Sequence, residues 1–147
     1  MISAAAVLVC ALEMLGRSPA RVPPIQLVDV RPLEVSRQAE AYVFPGSGVI
    51  SLLTTSEVFR LAQQTECQLV TAIRKLASII VHEEWHVLHG PDERGAYEAQ
   101  LSALIRFGAS ADSGVYYGVV RSMNAALAAR ARAERVLAAN LTARRAP

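Results

Sequence analysis

The segment QLVTAIRKLASIIVHEEWHVLHG, residues 68–90, is the longest periodic element of the sequence. Its apolar residues recur at the spacing of one helix face. They are Leu69, Val70, Ile73, Leu76, Ile79, Ile80 and Val87. Gly90 and Pro91 follow, and both residue types end helices. The pattern predicts one helix over residues 68–88.

The C-terminal part of this helix contains His82-Glu83-Glu84-Trp85-His86, an H-E-x-x-H motif. A spacing of four residues puts the imidazoles of His82 and His86 on one face, about 6 Å apart along the axis. Both could then bind one zinc ion at about 2.0 to 2.1 Å. Glu83 would lie beside the metal, where it can take a proton from the attacking water and pass it to the leaving amine. The motif therefore indicates a catalytic zinc site, and the alternative is a helix with two surface histidines.

A catalytic zinc ion normally has three protein ligands and one open position, so a third ligand is needed. His89 lies three residues after His86. It stands about 10 Å along the axis from His82, too far for three ligands of one straight helix to converge on one ion. The third ligand must therefore come from a second element.

A second helix is predicted over residues 94–107, and it has Glu98 in its first turn or so. If this helix packs back against the first, Glu98 can reach the metal. Asp92 and Glu93 compete for the same role, but both lie in the turn, where capping is the ordinary use of an acid. We expect one zinc ion bound by His82, His86 and Glu98.

Three short β-prone segments precede the motif helix, at residues 25–30, 41–44 and 49–53. The turn residues 45–48 separate the last two and predict a hairpin. Thr54 lies three residues before Glu57, a capping-box spacing that predicts a short helix through about Gln64.

Val49 to Leu53 is β-prone, contains no proline and directly precedes the helices that lead to the motif. We expect it to form a sheet edge that binds an extended peptide through main-chain hydrogen bonds. The alternative is an ordinary strand whose edge is covered.

The two ends of the chain differ from its middle. Residues 1–20 contain an apolar run that is too short to span a membrane. No Lys or Arg precedes this run, which favours a packed first helix ending at Gly16 over a secretory signal, and a cytoplasmic over a secreted protein. A third helix is predicted from about Asp112, with a frayed basic tail over residues 130–147.

Composition limits the class of protein. A chain of 147 residues with 52% apolar and 19% charged residues fits one folded domain, residues 1–147. The formal charge of +2 argues against a nucleic-acid binder. Cys10 and Cys67 form no C-x-x-C pair and predict neither a cysteine zinc site nor a disulfide framework.

Three segments together resemble the gluzincin metallopeptidases, particularly the small minigluzincins. They are His82–His86, Gly90–Glu93 and Tyr97–Leu101. The resemblance extends over roughly residues 25–107 and implies an α+β, zincin-like fold. In that fold a small antiparallel or mixed sheet of about three strands packs on the active-site helix, and two further helices follow.

The resemblance also implies a zinc-dependent endopeptidase that hydrolyses peptide or protein substrates with a metal-activated water, with Glu83 as general base and acid and Glu98 as the third ligand. Many gluzincins orient a zinc-binding histidine with an Asp or Asn four residues after the ligand glutamate, and that position is Ser102 here. A tyrosine or histidine often stabilises the oxyanion in this family. Tyr116 and Tyr117 are the two candidates in this sequence, and Tyr116 is the expected catalytic tyrosine.

Two other functions fit the same sequence. One is a zincin-like module that binds metal or peptide without turnover. The other is a helical interaction protein in which the motif is accidental. The sequence leaves the oligomeric state open.

Overall fold

Five α-helices and three short strands form an α+β fold in this computed structural model, which describes residues 1–145. The helices are α1 (Ala4–Leu15), α2 (Glu57–Gln64), α3 (Val70–His89), α4 (Glu93–Arg106) and α5 (Gly114–Arg145). The strands are β1 (Ile25–Val28), β2 (Ala41–Tyr42) and β3 (Ile50–Leu53). A 3-10 turn, Pro19–Arg21, lies between α1 and β1. The expected fold class, a small sheet with a motif helix and two helices after it, is confirmed.

The three strands form one mixed sheet in the order β1-β3-β2. β1 runs parallel to β3, with Ile25 opposite Ile50, and β2 runs antiparallel to it, with Ala41 opposite Leu52. All four residues of β3 are buried. The expectation that Val49 to Leu53 forms the substrate-binding edge is therefore wrong, because β3 is paired on both sides. A nearly continuous apolar run is typical of such an interior strand.

The motif helix α3 lies at the centre of the fold. Its side chains Leu76 and Ile80 are fully buried in the main core, together with Phe59 of α2 and Ile50 and Leu52 of β3. α4 packs along α3, and α1 and the sheet also contact it. This central position explains why the segment has the strongest periodicity in the sequence.

Residues 1–20 contain the predicted first helix. α1 begins after Ser3, whose side chain accepts a hydrogen bond from the Ala6 amide at 3.1 Å. It ends at Gly16, which adopts a left-handed φ of 73°. Val7 and Ala11 are fully buried, so α1 is part of the core.

Cys10 of α1 and Cys67, which follows α2, form a disulfide. The expectation of no disulfide framework is wrong for this pair. The partners are 57 residues apart and meet only because α1 packs beside the turn between α2 and α3, where Glu66 and Cys67 have positive φ angles of 52° and 63°.

The start of α2 also differs from the capping-box prediction. Ser56 is the N-cap residue, and its hydroxyl accepts a hydrogen bond from the Phe59 amide at 3.4 Å. Thr54 instead donates its hydroxyl to the Val28 carbonyl at 3.3 Å and so ties β1 to the end of β3. The helix ends at Gln64 as predicted.

α5 packs against α4 through a second apolar cluster that includes Leu104 and Val119. It then continues to Arg145, and the side chains of residues 132–145 are exposed. The segment 130–145, predicted as a frayed tail, is therefore helical, and residues 146–147 lie outside the described part. Among the helices of residues 1–145, none has the length and apolar character that a membrane span requires.

Candidate metal centre

Three side chains meet at the junction of α3 and α4: His82, His86 and Glu93. The two Nε2 atoms lie 3.2 Å apart. The Glu93 carboxylate faces both rings, with Oε2 at 3.5 Å from His82 Nε2 and Oε1 at 3.4 Å from His86 Nε2. All the potential ligand atoms fall within 4.8 Å of one another, so this group could hold a metal ion.

Glu98 is exposed and does not belong to this group. The structure brings Glu93 to the imidazoles instead, which corrects the expected third ligand. The reason is that α4 begins at Glu93, so the chain turns back onto α3 earlier than predicted. Glu98 follows five residues later, about 140° around the helix, and points elsewhere.

The turn from α3 to α4 is short and closely held. Gly90 ends α3 with a φ of 79°, and the Arg130 side chain of α5 donates to the Pro91 carbonyl at 2.9 Å. Gly95 is buried against Trp85, and a Cβ atom there would lie 2.5 Å from Trp85 Cζ2. Only glycine permits this close approach of the two helices, which places Glu93 over the histidines.

Hydrogen bonds fix the orientation of both imidazoles. His86 Nδ1 lies 2.8 Å from the Gly90 carbonyl oxygen, which can only accept a hydrogen bond. His82 Nδ1 lies 3.0 Å from Gln100 Oε1. Each Nδ1 atom is therefore the protonated one in the neutral ring, and each Nε2 atom presents a lone pair toward Glu93.

This donor set fits a cation. Two Nε2 lone pairs that face each other at 3.2 Å repel unless a proton or a metal ion lies between them. Two imidazole nitrogens and one carboxylate are also the donors that metals such as zinc take in proteins. Each of the three side chains thus offers one ligand atom that could bind such a cation.

The charges of the site follow from these contacts. In the metal-free protein, the Glu93 carboxylate raises the pKa of His86 to about 9, and burial only partly offsets this effect. Conversely, the two histidines lower the pKa of Glu93 to about 2. The site therefore carries a proton where a metal would bind, and a metal must displace it.

Glu83 is buried, with 6% of its surface exposed, and it lines the same cavity as the two histidines. Burial raises the pKa of its carboxyl, while the neighbouring His82 and His86 oppose that shift. A carboxyl group in such a position is suited to holding and releasing a proton.

The cavity over the imidazoles has a volume of about 1080 Å³. Residues of the segment 34–46, which contains β2, line this cavity, and so do the small side chains Ala125, Ala126 and Ala129 of α5. Volumes of this order accommodate small ligands or several residues of an extended peptide.

Tyr97 is the tyrosine beside the candidate metal ligands. Its ring contacts the His82 ring edge to face, with centroids 4.5 Å apart, and it lines the cavity. Burial, together with nearby carboxylates, raises the pKa of Tyr97 to about 12. The structure places Tyr116, the expected catalytic tyrosine, in the apolar contact between α4 and α5 and outside the cavity wall, while Tyr117 is half exposed.

Sequence reasoning missed the roles of Gln100 and Tyr97. Both fall at helical spacing after Glu93, Tyr97 four and Gln100 seven residues on, and so share its face of α4. This spacing indicates that Tyr97 and Gln100 lie at the site only when Glu93, and not Glu98, is taken as the third ligand. Ser102, which lies four residues after Glu98, is exposed.

No protein-family model matches this chain. No curated protein and no solved structure matches it either. The function is therefore inferred from the site itself.

Proposed function

We propose that this protein is a zinc-dependent endopeptidase of the gluzincin type. The observation that carries the proposal is the group formed by His82, His86 and Glu93, with Glu83 in the wall of the same cavity. The group supplies the three ligands of a catalytic zinc site, and Glu83 supplies the acid-base group that peptide hydrolysis requires.

Zinc, when bound, would activate a water molecule and polarise the scissile carbonyl. The side chains have separate tasks around it. Glu83 accepts the proton of the attacking water and returns it to the leaving amine. Tyr97 keeps its proton because its pKa is about 12, so its hydroxyl is available to donate to the developing oxyanion.

The substrate is proposed to bind along β2, the strand that lies at the cavity. The Leu53 amide donates to the Glu40 carbonyl at 3.0 Å, so Glu40 faces β3. Neighbouring residues of a strand point their polar groups to opposite sides, so the N–H and C=O of Ala41 face away from β3. An extended peptide could add there as a further strand, which makes β2 rather than β3 the docking edge.

The proposal is tested by the metal content and activity of the purified protein. We expect about one zinc ion per chain and cleavage within a mixed peptide library. Glu83→Gln should keep the zinc and lose most of the hydrolysis, because the carboxylate is not a ligand but accepts the proton. Glu84→Gln is the matched control, since Glu84 pairs with Arg17 at 2.7 Å instead of lining the cavity.

Three outcomes would contradict parts of the proposal. Zinc without turnover would identify a binding module. A protein without metal would leave the motif accidental, and iron in place of zinc would point to another chemistry of the same two-histidine, one-carboxylate set. The docking edge is tested with cleaved peptides in which alternate backbone amides are N-methylated. Methylation of the amides that face β2 should raise KM, and methylation of the amides between them should not. Equal KM values for both sets would place the substrate elsewhere.

A further inference from the structure

We propose that Gln100 and Ser78 are positioning residues that fix which nitrogen of His82 faces the metal. This inference rests on the proposed metal site and concerns the hydrogen bonds behind it. All three residues are buried: Ser78 fully, Gln100 with 4% and His82 with 8% of the surface exposed.

A chain of hydrogen bonds leads from the backbone of α3 to the ring of His82. The Ser78 hydroxyl donates to the Lys75 carbonyl at 2.7 Å. The Gln100 amide nitrogen donates to the Ser78 oxygen at 3.2 Å. Gln100 Oε1 lies 3.0 Å from His82 Nδ1.

The Lys75 carbonyl determines the direction of every hydrogen bond in this series. A backbone carbonyl can only accept, so the single proton of the Ser78 hydroxyl is committed to Lys75. The oxygen of Ser78 can then only accept, which requires the NH₂ group of Gln100 to face it. Gln100 Oε1 must therefore face His82 and accept from Nδ1–H.

The consequence appears at the other side of the ring. Because Nδ1 carries the proton, Nε2 of the neutral ring presents its lone pair to the metal position. If the Gln100 amide were flipped, its oxygen would face the Ser78 oxygen, so two acceptors would meet. Its NH₂ group would then face His82 and favour the opposite tautomer of the ring. Partners of this kind typically change metal affinity by about 10- to 100-fold when they are removed.

Gln100 is also a neutral partner. A carboxylate in its place would raise the basicity of the imidazole and strengthen metal binding. The amide therefore selects the tautomer without adding negative charge next to Glu83 and Glu93.

The test measures zinc affinity by chelator competition and hydrogen exchange of the His82 Nδ1–H by NMR in the zinc-loaded protein. Gln100→Leu should weaken zinc binding by about 10- to 100-fold and remove the protection of this proton. Gln100→Glu restores an acceptor and should bind zinc at least as tightly as the wild type. Ser78→Ala should cause a smaller loss, and Gln68→Leu, at an exposed glutamine, is the matched control.

The inference is overturned if a folded Gln100→Leu protein keeps both the wild-type zinc affinity and the protected proton. Equal losses in Gln100→Leu and Gln100→Glu would also overturn it, because packing rather than the acceptor would then matter. If Gln100→Leu does not fold, the comparison of Ser78→Ala and Gln100→Glu with the wild type decides. Zinc binding and turnover in the wild type itself test the proposed function separately.

Discussion

Removal of Glu93 should distinguish the metal site of the structure from the one expected from the sequence. The carboxylate of Glu93 lies 3.4 and 3.5 Å from the two Nε2 atoms, whereas Glu98 is exposed on the same helix. Glu93→Ala therefore deletes a ligand, and Glu98→Ala deletes only a surface charge.

The size of the effect follows from ligand number. Four-ligand structural zinc sites bind with about 10 to 16 kcal/mol, or about 2.5 to 4 kcal/mol for each ligand. At about 1.4 kcal/mol for each factor of ten, loss of Glu93 should weaken zinc binding by about 100- to 1,000-fold. The change for Glu98→Ala should lie within the error of the measurement.

The assay is competition with a fluorescent zinc chelator at constant pH, with circular dichroism to confirm that both variants fold. Wild-type affinity in a folded Glu93→Ala protein would refute the assignment. A large loss in Glu98→Ala alone would show that α4 begins later in solution and presents Glu98 to the histidines.

Three further changes have definite expected outcomes. A proton must leave His86 before zinc binds, and the pKa of His86 is raised to about 9 in the metal-free protein. Zinc affinity should therefore rise about tenfold per pH unit below pH 9 and level off above it. A zinc affinity that is constant from pH 6 to 9 would contradict this. Gly95→Ala brings a Cβ atom to 2.5 Å from Trp85, so it should lower the unfolding free energy by about 1 to 3 kcal/mol and weaken zinc binding. An unchanged zinc affinity would show that the contact of Gly95 with Trp85 does not position Glu93. Replacing Cys10 and Cys67 with serine removes a disulfide between residues 57 positions apart, so it should lower the unfolding free energy by about 2 to 4 kcal/mol. Denaturant titration of both proteins in zinc-free buffer measures this loss, and chelator competition should show an unchanged zinc affinity.

The motif helix could be predicted from the sequence because its signals are local. Apolar periodicity and the Gly90-Pro91 stop predict a helix to residue 88, and α3 ends at His89. The spacing of His82 and His86 then places both rings on one face, as the structure shows. These features depend only on helix geometry.

The third ligand could not be fixed in the same way. The second helix was predicted from residue 94 and begins at Glu93, a difference of a single residue. Helix starts are uncertain by one or two residues on any sequence criterion, and each residue rotates the face by about 100°. The choice between Glu93 and Glu98 depends on the close contact of Gly95 with Trp85, which is a tertiary feature.

The role of β3 and the disulfide were missed for a related reason. Whether Ile50–Leu53 is an edge or an interior strand depends on β1 pairing with it from 25 residues earlier in the chain. The disulfide of Cys10 and Cys67 likewise needs α1 to pack beside the turn after α2. Both features are set by long-range packing, which local patterns do not report.

The metal ligands and the cavity walls come from different parts of the chain. The three proposed ligands and Glu83 lie between residues 82 and 93, and the proposed positioning residues Ser78 and Gln100 flank them. Much of the cavity lining comes instead from the segment 34–46, which contains β2 and precedes α3 by at least 24 residues.

This separation predicts that substrate binding can be changed without changing the metal. Phe44 lines the cavity, is 42% exposed, and packs against Tyr42 with ring centroids 4.9 Å apart. Phe44→Ala removes apolar surface that a peptide would cover, so it should raise KM and leave zinc affinity as in the wild type. Leu33→Ala, at a fully exposed residue outside the cavity wall, is the control. Loss of zinc in a folded Phe44→Ala protein would mean that the wall supports the ligands directly, and an unchanged KM would move the substrate path to the α5 side of the cavity.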